Sequence, residues 1–140
     1  MRFDLVSRQA AVTATMGKFA KVQWGWERNA TCAHMVRYHL EKCGKRVEAL
    51  PRMRSALAAR RVLDQRGWAD VGGWIDSMGL ERIAAAMMLP GDIASLPTED
   101  GLGSIVIACG HHKVMGWRED QPGLVVVDVP LSALEKAWRV

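Results

Sequence analysis

The hydrophobic pattern of this chain changes period once, at Pro90-Gly91, and that change limits the folds open to it. Before it, apolar residues recur at helical spacing. After it come short runs rich in β-branched residues, separated by glycine-bearing or acidic turns. Residues 92–96, 104–109, 112–117 and 124–129 read as strands. The links between them are too short for parallel crossovers, so the expected sheet is a four-stranded antiparallel meander. Pro130 ends the last strand, and residues 131–138 read as a short closing segment with Leu134 and Trp138 on the core. Upstream, a first helix is expected from Phe3 to about Met16, ended by Gly17. A second runs from Cys32 to Lys42 with Gly44 at its C′ position. Ser55 can cap a third helix that ends at Arg66 before Gly67, and Asp70 a fourth, stopped by Gly79. Residues 80–89 are ambiguous, with room for one more helical turn. The expected class is α+β, one domain over residues 1–140, with its helices in residues 1–89 and its sheet in residues 90–140.

A chain of 140 residues can bury a useful core as one domain. Hydrophobic residues make up 49% and charged residues 24%, the balance of a soluble globular protein. No signal peptide or membrane span is read from it, and a protein made and kept, or assembled, in a reducing compartment fits best. The formal charge is +4 and the pI about 9.3. Arg52, Arg54, Arg60, Arg61 and Arg66 cluster, but no aromatic residue interleaves them in the sequence, so a solvated helix face explains them and nucleic acid is not the expected partner. The cysteines are Cys32, Cys43 and Cys109, without a C-x-x-C, so no zinc or thioredoxin-like site is expected, and no other metal or cofactor. Cys32 and Cys43 on one helix would stand about 16 Å apart, too far for a disulfide.

The stretch from Gln23 to Val36 holds the candidate chemistry. Trp24 and Trp26 flank Gly25, and Cys32 opens a helix that Asn29 or Thr31 can cap. Free amides and the positive end of the helix dipole favour a thiolate at such a position. The commoner role of a free cysteine, and the one favoured from this stretch alone, is that of a small buried apolar residue. The two tryptophans can wall a pocket or simply fill core. Cys32, Met35, Val36, His39 and Leu40 form an inward stripe, which makes His39 a core-edge histidine. His34 lies two positions from Cys32 and faces elsewhere, so it is not its base.

Helices first, a cysteine at a helix start and then "PGDI" opening a meander is the order of NlpC-type papain-like cysteine peptidases. The segments here are "WGWERNATCAHMV", "LPGDIASLP" and "SIVIACGHHKVMGW". The whole chain also resembles a small family of phage and prophage proteins in tail-gene clusters. They share a tryptophan-glycine turn, a cysteine after aspartate, a "GD" strand and an ending like Ala137-Trp138-Arg139-Val140. The resemblance implies a papain-like fold with Cys32 at the nucleophile position. Thr31 stands where an aspartate usually precedes it, and Gly91-Asp92 match the "GD". Active peptidases of this kind carry a histidine at the head of the second strand. This chain has Leu102-Gly103-Ser104-Ile105 there, and neither Leu102 nor Ser104 is a general base near neutral pH.

His111 and His112 are the nearest replacements, but one strand length further on, roughly 20 Å away, where turn histidines would face solvent. A helix dipole cannot protonate an amine leaving group, so Cys32 is expected to be vestigial. The expectation is therefore a structural component of a phage tail tip or tail hub, located in the virion tail after assembly in the host cytoplasm. Its partners would be other tail proteins. Six tryptophans and eight methionines suit subunit contacts, with Trp68 and Trp117 as candidate interface residues. Two alternatives stand beside it. One is an active cysteine peptidase or amidase acting on peptidoglycan, with His111 or His112 as base. The other is a nucleic-acid-binding accessory protein using the arginine helix.

Overall fold

The structure is a computed structural model that describes residues 4–118 and 121–140. Among the described residues the fold is α+β, with four α-helices and one antiparallel sheet of six strands rather than the expected four. The helices are α1 (Leu5–Phe19), α2 (Cys32–Lys42), α3 (Ala56–Arg66) and α4 (Val71–Ser77). The strands are β1 (Glu81–Ile83), β2 (Ile93–Leu96), β3 (Ser104–Gly110), β4 (Lys113–Trp117), β5 (Leu124–Asp128) and β6 (Lys136–Arg139), in the spatial order β1-β6-β2-β3-β4-β5. The two unforeseen strands lie where the sequence carries little period-two signal. β1 is three residues long, inside the stretch read as ambiguous, and β6 falls in the closing segment. Both are strands because of what they pair with. β6 adds to the free edge of β2, with Ile93 opposite Trp138, and β1 then adds to β6, with Arg82 opposite Trp138. Residues 85–87 form a 3-10 turn, the one further turn for which residues 80–89 had room.

Helix boundaries follow capping chemistry. The Asp4 side chain accepts from the Ser7 amide at 2.8 Å to start α1. Gly44, with φ +80°, closes α2: its amide donates to the Glu41 carbonyl and that of Lys45 to Leu40, the paired bonds of a Schellman stop. Ser55 caps α3 through the Ala58 amide, and Gly67 ends it in the left-handed conformation. Gly17 does not end α1, which continues to Phe19. The Phe19 ring is buried edge-on against Tyr38 and Trp117, and that packing outweighs the roughly 1 kcal/mol cost of a helical glycine.

One face of the sheet carries the main core. Met35, Val36 and Leu40 of α2 and Ile75 of α4 meet Ile93, Ile105, Ile107, Met115 and Trp138, all essentially without solvent contact. The opposite face is lined by the smaller Ala94, Val106, Val114 and Ala137, covered by Met88 and Leu134, which follow the 3-10 turn of residues 85–87 and a second one at Leu131–Ala133. Among the described residues no helix is long and apolar enough to cross a membrane.

At the mouth of β2 a buried carboxylate joins segments distant in sequence. Asp92 Oδ1 accepts from Arg8 Nη1 at 2.8 Å and from the Val140 amide at 2.9 Å. Its Oδ2 accepts from the Leu89 amide at 2.8 Å and lies 2.9 Å from Arg139 Nη1, an ion contact without hydrogen-bond alignment. Arg8 also donates to the Val140 carbonyl at 2.6 Å. His39, fully buried on α2, sits 2.8 Å from the Gly91 carbonyl through Nε2 and 3.1 Å from the Thr15 hydroxyl through Nδ1. A carbonyl only accepts, so Nε2 carries the proton in the neutral ring and Nδ1 is the acceptor, with the one hydroxyl proton of Thr15 divided between Nδ1 and the Ala11 carbonyl 2.9 Å away.

Burial holds the His39 pKa below the ordinary 6.5, against the opposing pull of the Gly91 carbonyl. The unfolded chain therefore binds a proton that the folded chain resists. Stability is present in full above 6.5 and declines as pH falls below it. Denaturant midpoints of the wild-type protein are expected to fall between pH 7.5 and 5.5. The fall should be smaller in His39→Gln, which cannot titrate. Equal slopes in the two proteins would remove His39 as the cause.

Candidate functional site

Cys32 sits where expected, as the first residue of α2, but its surroundings are not those of an activated thiol. Thr31 is at the N-cap by backbone conformation, yet its hydroxyl lies 2.8 Å from His34 Nδ1 and makes no capping bond. Asn29 is no cap either. It takes a left-handed φ of 52° in the turn that closes the Gly25–Ala30 bridge. The sulfur faces the head of β3, where the Ile105 amide and the Ser104 hydroxyl both act to favour a thiolate. Burial acts the other way and outweighs them, so the Cys32 pKa lies above the ordinary 9.0. The expected gain from the helix start is thus overturned. By accessible area the residue is only half-buried, but protein surrounds the sulfur itself, and a charge there would lose most of its hydration. Cys43 and Cys109 are also free, and burial pushes both up to about 11.

Cys32 is one of the residues that line a large cleft of about 1150 Å³. Its walls come from the start of α2, the segment after α2, helices α3 and α4, and the loop leading into β3. Five tryptophans line it: Trp24, Trp26, Trp68, Trp74 and Trp117. Trp24 and Trp26 meet edge-on with centroids 5.7 Å apart, and Trp24 is 40% exposed. Trp68 and Trp117, the expected interface residues, are both half-buried and belong to this same cleft. The Trp117 indole donates to the Val22 carbonyl at 2.8 Å. Trp68 packs on Gly73, where any Cβ would come within 2.8 Å of the Trp68 Cβ. That close approach explains a glycine inside a short helix. The Arg66 guanidinium stands 5.7 Å over the Trp68 ring.

The structure brings Cys32 and Ser104 together and leaves His111 and His112 apart from both. The two histidines form the exposed turn between β3 and β4, each with positive φ, 53° and 63°. They border a separate hollow of about 140 Å³ beside Met88 and Leu134. β3 has Ser104 at one end and Gly110 at the other, a span of about 20 Å. At that separation neither imidazole can exchange a proton with the Cys32 sulfur, because a general base must come within about 3 Å or one water. Among the described residues no group of three or more His, Cys, Asp or Glu could hold a metal ion.

Two features were missed in the sequence. The clustering of tryptophans from four separate segments has no local signature. Asp92 read only as one residue of a short strand motif, and nothing near it in sequence signals its arginine partners. The chain matches, over residues 4–140, a family described as a domain of unknown function, DUF6950. No curated protein matches it. With a match that spans nearly every residue from α1 to the end of β6, the chain belongs to the DUF6950 family.

Proposed function

We propose that this protein is a non-catalytic component of a phage tail tip or tail hub, built on a papain-like domain whose nucleophile is vestigial, and that it serves by docking to neighbouring tail proteins in the virion. The observation that carries the reading is the Cys32–Ser104 juxtaposition at the head of β3. A thiol peptidase needs a base at the sulfur and a group to orient that base. Here the place opposite the sulfur holds a hydroxyl, which cannot take the proton near neutral pH. The thiol is shifted away from ionisation rather than toward it. What remains is a roomy aromatic cleft, and aromatic residues and methionine are the types enriched where proteins meet.

Two measurements test the reading. Alkylation of Cys32 is expected to rise with pH only above the ordinary thiol range, as burial requires. Fast alkylation at pH 7, together with hydrolysis of a peptidoglycan stem peptide that Cys32→Ser abolishes, would establish the peptidase alternative instead. Immunolabelling of purified virions should place the chain at the tail end, and particles that lack it would exclude the structural role.

A further inference from the structure

One wall of the cleft is held more weakly than the rest of the molecule. Residues 46–54, between α2 and α3, form no helix or strand, and their backbone makes no hydrogen bond with any described residue. Val47, Leu50 and Met53 turn inward at every third position, as in a polyproline-type strap, and the residues between them are exposed. α3 comes next. Helices α1, α2 and α4 pack on β3, whereas α3 packs to that extent on no helix or strand among the described residues. None of its residues belongs to the main core on the sheet. Between Gly44 and Gly67 only Met53, Ala59 and Leu63 are buried.

Those three form a small cluster of their own with Leu102, edged by Trp26 and Trp68. Leu102 lies in the loop into β3, Trp26 in the loop before α2 and Trp68 just past the end of α3. Polar ties cross the same seam. Arg60 of α3 donates to the Ala69 carbonyl at 2.9 Å and to the Gly101 carbonyl at 3.1 Å. Both bonds are exposed, so water can take their place at small cost. The segment begins and ends at a glycine in the left-handed conformation, Gly44 with φ +80° and Gly67 with φ +74°. Space is open around both, so backbone rotation there meets no obstacle.

We propose that residues 45–66 are a flap, hinged at Gly44 and Gly67, that opens as a unit away from the cleft while the sheet and helices α1, α2 and α4 stay folded. Segments with few buried apolar contacts and little backbone bonding to the rest of a fold are the ones that open locally. Hinges are a few residues at the ends of elements that absorb the change in φ and ψ. The seat of the flap is Leu102, two residues before Ser104. Val47, Leu50 and Met53 line the cleft together with Cys32, Trp24 and Trp26. Opening therefore uncovers the thiol and the tryptophans together. The gate acts on whatever the cleft receives, so it goes beyond the docking reading and does not depend on it.

The test is amide hydrogen exchange of the whole chain under native conditions, read element by element. The α3 amides should open at least a hundredfold more often than those of β3. Met53→Ala trims the most buried residue of the strap. It should raise exchange in α3 at least tenfold and leave β3 within twofold. Ile107→Val, in the main core, should do the reverse, raising β3 exchange at least threefold and leaving α3 within twofold. Alkylation of Cys32 at one fixed pH should quicken at least fivefold in Met53→Ala. Equal protection of α3 and β3, or joint movement of the two in either variant, would overturn the proposal. So would a Met53→Ala chain that loses its whole fold, or a Cys32 rate that the substitution leaves unmoved. A thiol that reacts fast at pH 7 would end the non-catalytic reading and leave these ratios as they are.

Discussion

Replacing Asp92 by alanine is expected to cost about 3–5 kcal/mol of stability, the range for breaking a buried ion pair from one side. The carboxylate has no solvent contact, and Arg8, at 2.8 Å, is 6% exposed as a residue. Alanine would take the carboxylate from the Arg8 guanidinium, leaving it the Pro90 and Val140 carbonyls, and would strand the Leu89 and Val140 amides and one contact of Arg139. Each buried group left without a partner carries its desolvation cost of about 1–3 kcal/mol, more for a charge. Partial relaxation and entry of water keep the total below their sum. Against a typical stability of about 5–15 kcal/mol, the loss reads as a fall in melting temperature of roughly 10–20 °C. Because the clamp joins α1, the turn before β2 and the end of β6, the variant should also lose protection of β6 amides in hydrogen exchange. A loss below about 1 kcal/mol would show that these contacts are replaceable by water.

The second large effect is a gain. Ser104→His would place an imidazole at the head of β3, the position from which the Ser104 hydroxyl now acts on Cys32. The cleft beside it has room for the larger ring. An imidazolium next to the sulfur stabilises the thiolate and opposes the burial that now disfavours it. A hundredfold gain in thiolate is offset by about an eightfold loss of intrinsic nucleophilicity, so alkylation of Cys32 at pH 7 should quicken about tenfold. Its pH profile should shift toward neutrality, and Cys32→Ser in the same background should abolish the gain. An unchanged rate would mean that the sulfur and the head of β3 are not in register. Full peptidase activity is not expected, because that also needs a group to orient the base.

Some features of the molecule were legible before folding because their causes are local. The Ser55 cap, the glycine stops at Gly44, Gly67 and Gly79, and the period-two runs now in β2 to β5 depend on residues within a turn or a strand of each other. The inward stripe Met35, Val36, His39 and Leu40 was readable for the same reason. Gly17 was misread because its cost is local while its compensation, the burial of Phe19 against Tyr38 and Trp117, comes from other elements.

The site was less legible. Cys32 at a helix start, the absence of histidine at Ser104 and the remoteness of His111 and His112 were all visible in the chain's order, since strand length alone separates the ends of β3. The direction of the thiol shift was not, because it is set by how much protein surrounds the sulfur.

What the sequence determined by itself is the class and the order: capped helices, then antiparallel strands, with a cysteine opening α2 and no base at the head of β3. Tertiary structure alone decided the rest. It made strands of residues 81–83 and 136–139 by giving them an edge to pair with. It gathered five tryptophans into the cleft that Cys32 also lines. It buried Asp92 between arginines at positions 8 and 139. Pairing, burial and electrostatic neighbours depend on distance in space, and those residues are brought close only when the core closes.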